Sequence, residues 1–360
     1  MGRFGKFFEG ALSAFSTDIG IDLGTANTLV YVKGRGVVLS EPTIVAINKK
    51  TGQLVAIGEA AKTMQGRTPT HIEVVRPLVE GVISDFEVTE EMLTYLIGKV
   101  RSEMRNLIAP RVLIGVPCGI TNVEMRAARD AAKNAGAREV FLIEEPMAAA
   151  IGAKLPVSKA VGNMIIDIGG GTANIAVLSL GGIVKARNLR LAGDHLNEAI
   201  VIYIRDQFKV LVGERTAEEA KIKLAAVEHV DGGEERELIV RGRDVVTGLP
   251  REVVITEADI REAISSLVDT LVDSIKGVLE ETPPEVLSDI MQRGIYLSGG
   301  GALIPGFAAL LEEIIRVPVI VVPDPLRTVV RGTGIVLENL DLYEEILVDQ
   351  NDELSPHMGK

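Results

Sequence analysis

The chain has 360 residues, a 47% hydrophobic composition and a formal net charge of −12. That length supports two or more domains with ample cores, the negative charge opposes nucleic-acid binding by counterion release, and no apolar run reaches the roughly 18 residues of a membrane-spanning helix. The single cysteine, Cys118, excludes an internal disulfide and lacks metal-site spacing, which fits a reducing cytoplasm.

Four of the eight phenylalanines fall in the first fifteen residues. At about 100° per residue, Phe4, Phe7, Phe8, Ala11, Leu12 and Phe15 share one helical face, with Arg3, Lys6, Glu9 and Ser13 opposite, the pattern of an interfacial helix. A helix packed on the body fits the pattern equally, and charges within the run disfavour a secretory signal. Because the segment precedes the first core strand, residues 1–17 are assigned as an amphipathic membrane helix, with Phe4, Phe7, Phe8, Leu12 and Phe15 in the lipid.

Asp22-Leu23-Gly24-Thr25-Ala26-Asn27 lies between the apolar runs 19–21 and 28–32, and Asp167-Ile168-Gly169-Gly170-Gly171-Thr172-Ala173-Asn174 between 164–166 and 175–178. Each reads as a β-hairpin. One copy would be an ordinary tight turn; two in matched settings, sharing Thr-Ala-Asn, point to a nucleotide held between related halves. Glycine lets backbone N–H groups form an anion nest, and Thr25 and Thr172 add hydroxyl donors. A carboxylate beside phosphate needs a cation between them, so Asp22 and Asp167 read as anchors for Mg²⁺ through its waters.

Between the hairpins the order is strand, helix, strand, helix, which predicts an α/β sheet flanked by helices. Thr89 is expected to cap a helix through about Arg105, with Met92, Leu96, Val100 and Met104 as its apolar stripe. Arg111–Val116 reads as a strand, Thr121–Glu124 as a capping box closed by a stop at Gly136, Val140–Ile143 as a strand and Met147–Ala153 as a helix. Glu145, read as ending that strand, has two readings: a carboxylate orienting an attacking water, or a charge placed before a helix. Around Lys50-Thr51-Gly52, and from Arg190 to Val253, inserted segments interrupt the rhythm; the second includes a hairpin over 236–254. A third turn, Leu297-Ser298-Gly299-Gly300-Gly301-Ala302, follows a strand at Gly294–Tyr296, precedes a helix over 305–315, and offers bare backbone to an adenosine. The histidines His71, His195, His229 and His357 lack ligand spacing and read as surface or filler.

Nine blocks carry a resemblance to a known family: IDLGTANTLVYVKGRGVVLSEPTIVAI (21–47), GRTP (66–69), RPLVEGVISDFEV (76–88), IEEPMAAAIGA (143–153), DIGGGTANIAVLSLGGIV (167–184), AGDHLNEAI (192–200), GERTAEEAKIKL (213–224), TPPEVLSDI (282–290) and LSGGGALIPG (297–306). In family order and nearly full length, they resemble the actin, Hsp70 and sugar-kinase ATPase superfamily, and more narrowly the MreB bacterial actins. The resemblance implies an α/β, actin-like ATPase fold: two related halves, each with a small inserted subdomain, and ATP with Mg²⁺ in the cleft between them. Residues 18–40, 73–152 and 325–347 would form subdomain IA, 41–72 IB, 153–189 and 254–324 IIA, 190–253 IIB, and 348–360 a C-terminal tail.

The same resemblance implies nucleotide contacts from Gly24, Thr25, Ala26, Asn27, Gly169, Gly170, Gly171, Thr172, Glu218, Glu219, Lys221, Gly299, Gly300, Gly301 and Ala302. It favours the water-positioning role for Glu145, with Thr172 as helper and Asp22 and Asp167 at the metal. On the bare sequence, Glu218 and Lys221 would be a solvated helical face. Leu107 and Ile108 match a second membrane loop, though such a pair is more often a helix-end packing contact. The implied activity is a slow Mg-dependent ATPase coupled to polymerisation. The implied role is a membrane-associated filament, of paired antiparallel protofilaments, that scaffolds peptidoglycan elongation at the inner face of the cytoplasmic membrane with MreC, MreD and RodZ-like partners and no nucleic acid.

Two stretches depart from the family text, Ala173-Asn174 where Thr-Glu is common and His195 and Asn197 where acids are common, which bears on charge around the metal. A Walker-type P-loop is absent. A chaperone would need a substrate domain after residue 306, where little chain follows, and a small-molecule kinase would need a catalytic base and substrate pocket that the sequence does not present.

Overall fold

The computed structural model describes residues 18–104, 108–228 and 236–348. The expectations for Phe4, Phe7, Phe8, Leu12, Phe15, Leu107, His229 and His357 lie outside those residues. Contacts divide the described chain into two units, the first drawn from residues 1–159, 180–182 and 327–360 and the second from 160–179 and 183–326.

The first unit is built on β1 (Ile19–Leu23), β2 (Asn27–Val32), β3 (Gly36–Pro42), β4 (Arg111–Val116) and β5 (Glu139–Glu144), in the spatial order β5-β4-β1-β2-β3. β1, β4 and β5 run parallel, and β2 returns antiparallel beside β1. Alternation divides β1 between two helical layers. Ile19, Ile21 and Leu23 join a core with Met92, Leu96 and Met125, while Gly20 lies beneath Thr333 of the helix Thr328–Glu338. That helix packs closely on the helix Glu145–Gly152 because both present small residues: a Cβ at Gly332 would overlap the Ala148 carbonyl. This contact fixes the helix that Glu145 begins.

The capping box at Thr121 is complete: its Oγ1 accepts from the Glu124 N–H at 3.2 Å, and Glu124 Oε2 accepts from the Thr121 N–H at 2.7 Å. Two boundaries move. The helix assigned a cap at Thr89 starts at Phe86, because Asp85 Oδ1 accepts from the Val88 N–H at 3.1 Å. The Thr89 hydroxyl instead donates to the Asp85 carbonyl at 2.6 Å, inside the helix. Likewise Glu145 does not end a strand. β5 ends at Glu144 and Glu145 opens the following helix, since Pro146 has the fixed φ of a first turn and no N–H to lose there. A three-stranded sheet of Val45–Asn48, Leu54–Ile57 and Ile72–Val75 belongs to this unit, its turn closed by the Thr51 and Gly52 N–H groups on the Asn48 carbonyl.

The second unit repeats the plan. β6 (Asn163–Ile168), β7 (Ala173–Ser179), β8 (Gly182–Leu189), β9 (Ile295–Ser298) and β10 (Val319–Val321) lie in the order β8-β7-β6-β9-β10, with β6, β9 and β10 parallel and β7 antiparallel to β6. Every residue of β6 is buried, as a strand at the centre of a covered sheet requires. The helices Gly193–Phe208, Glu214–Leu224 and Glu257–Glu280 contribute Leu196, Ile200, Leu224, Ile260 and Ile264 to one core with Ile166 and Ile175. The expected hairpin forms from Glu237–Asp244 and Pro250–Thr256, with Ile239 opposite Val254.

Candidate functional site

In parallel α/β sheets, ligands gather beyond the C-terminal strand ends, and both units place their predicted polar residues there. In the first unit, Asp22 is the penultimate residue of β1, paired with Leu29 on β2 and Gly115 on β4. Gly115 in turn pairs with Ile143 on β5, and the room left by its missing side chain is shared by Val329 and Glu145, whose Cγ1 and Cγ lie 3.3 and 3.6 Å from the position of a Cβ. Asp22, near the end of β1, and Glu145, just past the end of β5, thus sit at the same end of the sheet with only β4 between their strands. Glu145 is buried, 6% exposed, and belongs to a helix rather than to a solvated surface.

The tip Gly24-Thr25-Ala26 is held by residues that no local pattern marks. Thr43 Oγ1 donates to the Gly24 carbonyl at 2.6 Å and lies 2.9 Å from Thr28 Oγ1, and the Thr43 N–H donates to Ala26. Thr25 Oγ1 accepts from the Gly81 N–H at 2.9 Å, which leaves its hydroxyl hydrogen to point elsewhere. Asn27 is exposed at the start of β2. Cys118 joins this end of the sheet: its thiol is pushed up to about 12, first by burial and then by the Glu144 and Glu145 carboxylates. Burial also raises Glu144. The thiol therefore stays protonated and inert.

In the second unit, Asp167 pairs with Asn174 across β6–β7 and with Ser298 across β6–β9. It is 7% exposed, and burial pushes its carboxyl up to about 6 against a hydrogen bond from Ser298 that favours the ionised form. The following tip is closed by the Gly169 N–H on the Thr172 carbonyl at 2.9 Å, with Thr172 buried. Gly169 and Gly170 carbonyls accept from the N–H groups of Gly193 and Asp194 at 3.2 and 2.7 Å. The third turn packs directly on this loop. Gly299 has a φ of 79° and donates to the Pro325 carbonyl, and a Cβ on Gly301 would overlap Ile168 Cγ2. Gly300 is exposed, with Ala302 buried beside it.

Of the three residues expected on the helix Glu214–Leu224, Glu218 is half-buried, while Glu219 is exposed and pairs with Lys223 at 2.6 Å. Lys221 Nζ donates to the Gly193 carbonyl at 2.7 Å. Asn174 and Asn197 are fully buried amides and His195 is half-buried. Ile108 is half-buried. Among the described residues no cluster of three His, Cys, Asp or Glu side chains could cage a metal, and no helix is long and apolar enough to cross a membrane.

Matching sheets with an Asp and a glycine turn at equivalent strand ends call for comparison with known proteins. The family model of the MreB/Mbl protein matches residues 16–345. This chain belongs to the MreB/Mbl family. It is 49% identical over 328 residues to the cell shape-determining protein Mbl of Bacillus cereus, covering 91% of this chain and 97% of that one. It is 49% identical over 333 residues to the cell shape-determining protein MreB of Escherichia coli, covering 91% and 95%. Among solved structures, MreB5 of Spiroplasma citri bound to ADP superposes with a TM-score of 0.86 at 37% identity, over 92% of this chain and 98% of that one. The MamK double helical filament shares the fold, with a TM-score of 0.76 at 23% identity over 90% and 99%. The fold of this MreB/Mbl-family protein is therefore the actin-like one expected from its sequence blocks.

Proposed function

We propose that this protein is an ATP-dependent, membrane-associated actin-like filament that scaffolds the peptidoglycan elongation machinery and maintains rod cell shape. The observation that carries the reading is the repeated strand end, Asp22 with Gly24–Ala26 and Asp167 with Gly169–Thr172, in a chain that resembles an MreB5 crystallised with ADP and with AMPPNP. Relatives of Bacillus and Escherichia coli are named cell shape-determining proteins, and the MamK relative is a double helical filament. Self-association into paired antiparallel protofilaments, attachment by residues 1–17 and the 107–108 loop to the inner face of the cytoplasmic membrane, and partners of the MreC, MreD and RodZ kind complete the proposal.

The residues present suit Mg²⁺ with ATP. Asp167 is a buried carboxyl whose ionisation is disfavoured without a compensating positive charge, and Mg²⁺ is a cation that keeps its waters and binds through one or two carboxylates. When bound, the ion supplies charge neutralisation for the phosphates. The chain supplies the rest. Backbone N–H groups of Gly24–Ala26 and Gly169–Gly171 and the Thr25 and Thr172 hydroxyls bind phosphate oxygens, Gly299–Ala302 gives a side-chain-free wall for the adenosine, and Glu145 orients the attacking water. Hydrolysis is slow and coupled to polymerisation.

Sedimentation of the full chain with Mg-ATP tests this reading. Pelleting that requires nucleotide supports it. A protein that stays in the supernatant with ATP, but phosphorylates a small metabolite, would make it a kinase instead.

A further inference from the structure

We propose that Thr43 is a positioning residue for the phosphate loop of the first unit, holding its backbone from behind, and that Glu41 fixes Thr43 to the small sheet and the long helix of the same unit. The inference rests on reading Gly24–Ala26 as that loop.

Thr43 reaches the loop twice. Its Oγ1 donates to the Gly24 carbonyl at 2.6 Å, and its N–H donates to the Ala26 carbonyl at 3.0 Å. In a trans peptide the C=O and the next N–H point in opposite directions. Turning the Gly24 and Ala26 carbonyls toward Thr43 therefore turns the N–H groups of Thr25 and Asn27 away from it. Two donors then share one side of the loop, as an anion site requires. The single hydrogen of the Thr43 hydroxyl goes to Gly24, so the 2.9 Å contact with Thr28 Oγ1 is a bond that Thr28 donates. Thr28 and Thr43 are both fully buried, and in such a setting successive hydroxyl bonds strengthen one another.

Thr43 is itself anchored. It lies between β3, which ends at Pro42, and the strand Val45–Asn48 of the small sheet. Two residues earlier, Glu41 pairs with Thr28 across β2 and β3. The Glu41 carboxylate accepts from Lys99 Nζ at 3.0 Å, on the helix Phe86–Met104, and from the Glu59 N–H at 3.3 Å, at the start of the helix Glu59–Met64. A Cβ on Gly58 would overlap Glu41 Oε2, so that helix start closes directly on the carboxylate. Pro42, with its fixed φ, joins the two anchors. Through this segment the loop and the small sheet hold one relative position.

The test compares the full-length wild type with Thr43→Val, which keeps the branched shape and removes the hydroxyl, and with Thr43→Ser, which keeps the hydroxyl. Competition against a fluorescent ATP analogue gives the affinities of adenosine, Mg-ATP and magnesium tripolyphosphate. Thr43→Val is expected to bind ATP and tripolyphosphate about tenfold more weakly and adenosine as well as the wild type does, and Thr43→Ser to recover most of the loss. Hydrogen exchange of the ligand-free variants should leave β1 and β4 unchanged, which shows that the chain is folded. Thr28→Val removes the donor behind Thr43 and should shift the same two ligands in the same direction by a smaller factor; it carries the test if Thr43→Val does not fold. Undiminished tripolyphosphate binding by both valine variants would overturn the proposal, as would equal losses for adenosine and ATP or a serine variant no better than the valine one. Failure of the wild type to bind ATP would remove the nucleotide reading itself, and the wild-type arm alone reveals it.

Discussion

Replacing Asp167 by Asn should stabilise the ligand-free second unit while removing its anchor for a cation. The carboxyl is 7% exposed and titrates at about 6, against a value of 3.8 for an ordinary Asp, and burial is the larger cause. Its folded value lies above its unfolded one. Between about pH 4 and 6 the native state keeps a proton that the unfolded chain has lost, so stability falls with rising pH through that window and is level above it. At about 1.4 kcal/mol per pH unit, ionised Asp167 costs the native state about 3 kcal/mol at neutral pH and about half of that near pH 5. The neutral amide avoids that cost, while its buried N–H donor takes back about 1 kcal/mol if it finds no acceptor. Asp167→Asn is therefore expected to be about 2 kcal/mol more stable than wild type near neutral pH, with the advantage mostly gone near pH 5. Urea unfolding of both full-length proteins, followed by circular dichroism across that range, reads the difference. Mg-ATP should reverse the order, because a ligand stabilises only the protein that binds it. A variant no more stable than wild type at neutral pH, or a difference that ignores pH, would refute the reasoning.

Glu145→Ala should slow hydrolysis far more than it weakens ATP binding, because a water-orienting group acts mainly in the transition state; single-turnover rates and nucleotide affinities falling together would mark it as structural. Gly301→Ala, whose Cβ meets Ile168, should lose about 1–3 kcal/mol by overpacking, whereas Gly300→Ala, with nothing nearer than Leu326 Cδ2 at 3.6 Å, should unfold thermally like wild type. Deleting residues 1–16 should spare nucleotide binding and abolish most co-sedimentation with anionic liposomes, and Phe7→Asp with Phe8→Asp should mimic it; retention of lipid binding would shift the anchor to Leu107 and Ile108.

Features with local signals were legible in the sequence. Alternation and glycine turns located both hairpins, and Thr121 with Glu124 announced a cap that forms as written. Local competition explains the two shifted boundaries. Asp85 is as good a cap as Thr89 and lies one turn earlier, where buried Val88 extends the apolar stripe, and a proline after Glu145 favours a first helical turn over a strand end. The residues that support the candidate loops were not legible, because they come from far along the chain: Thr43 under Gly24, Gly81 on Thr25, and Gly193 on Gly169. Such pairs have no period or spacing of their own, and only the folded sheet order brings them together. The pairing of Asp167 with Ser298 is of the same kind. The turn 297–302 itself was legible from its run of glycines between a strand and a helix.

Electron microscopy of the full-length protein on a lipid monolayer, with Mg-ATP and without nucleotide, tests the central claim most directly. Paired filaments lying on the lipid with Mg-ATP, and none without nucleotide, are the predicted result. Equal filaments in both conditions, or none in either while ATP binds, would contradict a nucleotide-dependent membrane filament.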